Sequence, residues 1–125
     1  ILIVDDEPQM LRVCRRMLER AGYDVLSADS GRAAIDMVDR HGASLALCVL
    51  DMTMPGLGGA RTFEEIRRLQ PGLKVLLASG FGVERQAHDL LARGGVGFLQ
   101  KPFTASQLTG KVREVLASGP VDEVG

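Results

Sequence analysis

The chain has 125 residues, enough for one domain with its own core. Apolar residues make up 46% and charged residues 25%, and the formal net charge of −1 leaves no broad basic field to hold nucleic acid. No apolar stretch approaches the roughly 20 residues needed to cross a bilayer, and no acidic tract marks a disordered tail.

Apolar runs alternate with helical stretches along the whole sequence. Ile1–Val4 reads as a short strand. Glu7–Ala21 follows as a helix, with Leu11, Cys14, Leu18 and Ala21 at helical spacing and Gly22 as its stop. Asp24–Ala28 is a weaker second strand. Ser30 caps a helix carrying Ala34 and Val38 on one face and ending near Gly42. Leu45–Leu50 is a continuous apolar run, the mark of a strand buried on both faces of a parallel sheet. Ala60–Leu69 is a helix with Phe63 and Ile66 inward, broken at Pro71-Gly72. Leu73–Ala78 is the fourth strand. Val83–Arg93 is a helix with Ala87, Leu90 and Leu91, stopped by Gly94-Gly95. Gly97–Leu99 is the fifth strand, and Thr104 caps a last helix with Leu108, Val112 and Val115 in one stripe.

Strands alternating with helices of this length predict an α/β fold with a parallel sheet between two helical layers. The domain is expected at residues 1–118, with 119–125 as a tail or linker. The sequence opens on Ile1 inside a strand, without a signal peptide, and reads as a piece of a longer cytoplasmic protein. Cys14 and Cys48 belong to no metal-binding spacing and read as buried free thiols.

The residues that close the strands carry the chemistry. The first strand ends in Asp5-Asp6-Glu7, the third in Asp51, the fourth in Ser79, and the fifth in Lys101-Pro102. In a parallel sheet these project from one edge, where open α/β sheets place their ligands. Clustered carboxylates repel one another, and Lys101 supplies only one counter-charge. A hard divalent ion such as Mg²⁺ is the natural complement. With the repulsion damped, one aspartate can act as a nucleophile toward a phosphoryl group and form an acyl phosphate.

In Ile1-Leu2-Ile3-Val4-Asp5-Asp6-Glu7-Pro8, Leu50-Asp51-Met52-Thr53-Met54-Pro55-Gly56, Ala78-Ser79-Gly80 and Lys101-Pro102-Phe103, the chain resembles the receiver domain of two-component response regulators. The resemblance runs from residue 1 to about 117. It implies a five-stranded flavodoxin-like (βα)5 fold with strand order 2-1-3-4-5. It implies that Asp51 is the phosphoacceptor, and that Asp6, Asp51 and the Thr53 backbone carbonyl bind Mg²⁺, with Asp5 acting through water. Ser79 and Lys101 would contact the phosphoryl group, the Lys101-Pro102 bond would be cis, and Ser79 with Phe98 would form the switch. The partners it implies are a histidine kinase or a histidine phosphotransfer protein, and it leaves open a homodimer through the fourth helix, fifth strand and fifth helix. Such a domain catalyses only its own phosphorylation and dephosphorylation. Ser79-Gly80-Phe81 and Phe98–Phe103 lean toward receivers fused to sensor histidine kinases. Serine stands at 79 where threonine is frequent, and Phe98 lacks a tyrosine hydroxyl, so any switch must work by packing. Thr53 and Phe81 flank the site and are placed to tune the lifetime of an acyl phosphate.

Each motif alone has a plainer explanation. Asp5-Asp6 can cap a helix, Asp51 can open a Pro-Gly turn, and Phe98 can be core filler. His41 and His88 read as surface residues, and Met52 and Met54 as packing beneath a loop. Three other functions are weaker. An aspartyl-nucleophile phosphatase wants a second acid where Thr53 stands. A nucleotide-binding domain wants glycine where the first strand-to-helix turn is acidic. A phosphorylation-independent module would have lost one of the five site groups, all of which are present.

Overall fold

The structure, a computed structural model, describes residues 1–80, 84–92 and 94–118, with backbone alone for 84–87. Its strands are β1 (Leu2–Val4), β2 (Leu26–Ala28), β3 (Leu47–Asp51), β4 (Lys74–Ser79) and β5 (Gly97–Gln100). The helices are α1 (Pro8–Arg20), α2 (Gly31–His41), α3 (Gly59–Leu69), α4 (Glu84–Ala92) and α5 (Ala105–Ala117), with a 3-10 turn at Gly42–Ser44. All strand pairs are parallel, in the order β2-β1-β3-β4-β5. This is the five-stranded flavodoxin-like arrangement the sequence predicts.

The pleat sends alternate residues to opposite faces, which is why the central strands are apolar throughout. Leu47 and Val49 of β3 join a cluster with Cys14 and Leu18 of α1 and Leu108 and Val112 of α5. Cys48 and Leu50 join the opposite cluster, with Ala34 and Val38 of α2 and Phe63 and Ile66 of α3. Met52 and Met54 are buried in that second cluster. Leu50, Ile66, Leu76 and Leu77 are fully buried, so truncating any one of them to alanine costs about 2–5 kcal/mol.

Local chemistry sets the helix ends. Pro8 opens α1, where its missing N–H costs nothing, and Gly22 follows that helix at φ 99°, a conformation that favours glycine. Ser30 accepts the Ala33 N–H at 3.1 Å to start α2. Thr104 and Gln107 form a reciprocal capping box at the start of α5, at 3.1 and 2.8 Å. Gly59 lets α3 begin against β3, because a Cβ there would lie 2.7 Å from the Met52 Cα.

β3 and β4 each run one residue further than their apolar patterns. Asp51 pairs with Ala78, and Ser79 pairs with Gln100. A ladder is closed by backbone groups, which polar residues share, so it outlasts the apolar pattern. Asp51 and Ser79 are therefore held in the sheet itself, whereas Asp5, Asp6 and Lys101 lie just past the ends of β1 and β5. The expectations for Phe81, for the Ala87 side chain and for a tail at 119–125 fall outside the described residues.

Candidate functional site

Asp5, Asp6, Asp51, Ser79 and Lys101 converge at the carboxyl edge of the sheet. β1 delivers Asp5, which is buried, and the exposed Asp6 follows it. Asp51 is the last residue of β3 and only 2% exposed. Asp5, Asp6 and Asp51 each offer a carboxylate oxygen, and these lie within 4.8 Å of one another. That spacing fits a shared cation.

Lys101 is the one ammonium paired with this cluster among the described residues. Its Nζ donates to Asp5 Oδ2 at 2.7 Å and lies 3.4 Å from Asp51 Oδ2. Its backbone N–H bonds to the Ser79 carbonyl at 2.8 Å, and the Lys101–Pro102 bond is cis. Burial alone would lower the lysine pKa. The hydrogen bonds and charges of Asp5 and Asp51 outweigh it and hold the group above its ordinary value. Lys101 therefore stays charged through the physiological range.

The remaining contacts lock the acids in place. The Glu7 N–H donates to Asp5 Oδ1 at 3.0 Å. Asp51 Oδ1 accepts two bonds from one residue, the Thr53 N–H at 3.1 Å and the Thr53 hydroxyl at 2.8 Å. The second of these is absent from a motif-level view of the sequence. An aspartate followed two positions later by threonine is the pattern that could have revealed it. Ser79 is fully buried, and its Oγ is the buried side-chain polar atom left without a hydrogen-bond partner among the described residues. An orphaned hydroxyl of this kind is costly, and its presence at a ligand edge is informative.

Phe98 lies on β5 in register with Leu77, half-buried against the α2–α3 side of the core. His41 and His88 are exposed. Cys14 and Cys48 are buried away from water, which pushes their thiols up to about 11 and about 12, so both remain protonated.

The response regulator receiver domain model matches residues 1–113. The chain belongs to that family. It is a receiver domain of two-component signalling. The sensor kinase CckA of Brucella abortus is 34% identical over 116 residues, covering 93% of this chain and 12% of that protein. The transcriptional regulatory protein ZraR of Escherichia coli K12 is 32% identical over 117 residues, covering 94% of this chain and 26% of that protein. This receiver thus spans a minor share of the length of either relative. The crystal structure of a response regulator receiver domain protein from Clostridium thermocellum superposes with a TM-score of 0.88 at 29% identity, covering 92% of this chain and 91% of that one. Among the described residues no helix is long and apolar enough to cross a membrane.

Proposed function

We propose that this receiver accepts a phosphoryl group on Asp51 from a phosphohistidine of a histidine kinase or histidine phosphotransfer protein. The observation that carries it is the surplus of negative charge: three carboxylates gathered around a single ammonium. An all-oxygen donor set with no soft ligand suits Mg²⁺. Asp6, Asp51 and the Thr53 carbonyl would hold the ion directly, and Asp5 through water. Bound there, it would neutralise charge on the carboxylates and on the incoming phosphoryl oxygens.

The protein's own groups then have separate duties. Asp51 attacks phosphorus while the donor's P–N bond breaks. Lys101 pairs with the phosphoryl oxygens. The buried Ser79 hydroxyl finds in a phosphoryl oxygen the acceptor it lacks in the resting protein. Drawing Ser79 toward that oxygen frees space into which Phe98 can turn, altering the surface formed by α4, β5 and α5. That surface is also where a homodimer would form. Thr53 stands where an aspartyl phosphatase keeps a second acid, so the domain turns over only its own acyl phosphate. A cytoplasmic parent, a sensor kinase or a regulator, would supply the output, with the domain ending near residue 118. With a net charge of −1, the domain itself would not bind nucleic acid directly.

Phosphoramidate with Mg²⁺ tests the reading without a kinase. Intact mass should rise by one phosphoryl group, and Asp51→Asn should remain unlabelled. Equal labelling of the variant would sink the assignment.

A further inference from the structure

The far end of α4 is met by a side chain from the neighbouring helix. The N–H groups of Gly94 and Gly95 close α4 by donating to the Leu91 and Leu90 carbonyls at 3.3 and 2.9 Å. The Val96 N–H then joins β4 at the Val75 carbonyl, 3.0 Å away. Gly94 takes φ 114°, a conformation that favours glycine. The half-buried Arg67 of α3 lies over it: a Cβ on Gly94 would stand 2.5 Å from Arg67 Cζ, 2.6 Å from Nη1 and 2.8 Å from Nη2. Near-equal distances to the centre and two arms of a planar group place the guanidinium flat against the glycine, in space that any side chain would fill. We propose that Arg67 is a positioning residue that pins the C-terminal end of α4 to α3, so that phosphorylation moves the helix about that end. The inference rests on Asp51 accepting a phosphoryl group and Ser79 responding to it, as proposed above.

The chemistry of the contact suits a pin. A helix C-terminus carries partial negative charge, which a cation complements. A guanidinium is planar and weakly hydrated, so it can lie on a bare stretch of backbone where an ammonium could not. From the α3 side, Arg67 Nη1 reaches the Pro71 carbonyl at 3.4 Å. Beneath it, the buried Leu90 of α4 belongs to the same core cluster as Ile66, the residue before Arg67. The C-terminal end of α4 is thus held by the core below and by the arginine above. The other end is where the signal arrives. β4 closes on Ser79 and α4 opens at Glu84, so a shift of Ser79 toward a phosphoryl oxygen passes to the first turn of α4. A helix pushed at one end and held at the other swings about the held end. Displacement is then greatest beside the site and least at Gly94. The turn that leads into β5 stays in place, and Phe98 keeps its register with Leu77 while its ring turns.

The test is amide hydrogen exchange with and without excess phosphoramidate and Mg²⁺, on the unaltered chain, Arg67→Met and Gly94→Ala. In the unaltered chain, phosphorylation should change exchange in the first turn of α4 and leave the Gly94 and Gly95 amides as they were. In Arg67→Met, phosphorylation should also speed exchange at those two amides, by about threefold, the effect of one charge at a helix end. Gly94→Ala, whose methyl group would take the guanidinium's seat, should show the same new response. An arginine with a merely structural role would speed exchange equally with and without phosphoramidate, and that result in Arg67→Met would overturn the inference. So would a response at Gly94 and Gly95 already present in the unaltered chain, or a folded Gly94→Ala that lacks it. Should the unaltered chain take no label, the phosphoacceptor reading falls and the inference with it; once it labels, the two amides decide the inference alone.

Discussion

At the edge of the sheet where β4 begins, Lys74 Nζ donates to the Val115 carbonyl at 2.9 Å, the Ser118 carbonyl at 2.8 Å and the Ser118 hydroxyl at 3.3 Å. At the opposite edge, Lys101 is shared between two aspartates, with a third nearby and a buried serine hydroxyl bonded to nothing. Lys74 opens β4 and Lys101 directly follows β5, yet only one edge is electrostatically complete. The three N–H bonds of Lys74 each have an acceptor, and that ammonium ties the last turn of α5 to β4. Lys101 has more negative charge around it than it can neutralise. Satisfied polar groups hold the fold together, and unsatisfied ones mark where a ligand belongs.

The contrast breaks hardest at Lys101. Lys101→Met leaves the buried Asp5 and Asp51 without their counter-charge and should cost about 2–4 kcal/mol at neutral pH, toward the lower end because the lysine is partly exposed. Mg²⁺ should then raise the melting temperature of the variant more than that of the unaltered chain. Equal shifts by differential scanning calorimetry would show that the ion does not answer the same charge.

Lys74→Met and Ser79→Ala should cross over. Losing the Lys74 strut should cost about 1–2 kcal/mol in urea unfolding while leaving phosphoramidate labelling of Asp51 unchanged. Ser79→Ala removes an orphaned buried hydroxyl and should be neutral or stabilising by up to about 1 kcal/mol, yet it should slow labelling. If both variants move stability and labelling in the same direction, the division between the two edges fails.

The pH dependence is a finer check. Because the Lys101 pKa is raised in the folded state, the stability gained from its charge is complete below the ordinary value of 10.5 and is lost only as pH climbs through the higher folded value. The stability difference between the unaltered chain and Lys101→Met should therefore stay flat on the lysine's account until pH exceeds 10.5. The smallest expected signal is from the thiols. Cys14 and Cys48 should resist a thiol reagent in native buffer at neutral pH and react fully after denaturation.

What the sequence revealed tracks how local the cause is. Ser30 and Thr104 were legible as caps because capping acts within four residues. Leu45–Leu50 was legible as a central strand because double burial leaves an unbroken apolar run. The convergence of Asp5, Asp51, Ser79 and Lys101 followed from the parallel topology alone. Missing were contacts whose geometry no spacing encodes: the grip of Lys101 on Asp5 in preference to Asp51, the reach of Lys74 to α5, and the absence of any partner for Ser79. Asp51 and Ser79 were legible as the residues that close their strands, but the apolar pattern stops at Leu50 and Ala78 and does not show that they pair within the ladders, since backbone pairing ignores side-chain polarity.

Asp5 and Lys101 lie 96 positions apart. Bringing them within 2.7 Å requires the chain to close a loop that contains every other strand, so the contact is among the last that local order could supply. A partly synthesised or locally collapsed chain holds Asp51 without its ammonium. The acid–lysine site is therefore complete only where β1, β3 and the residue after β5 have met.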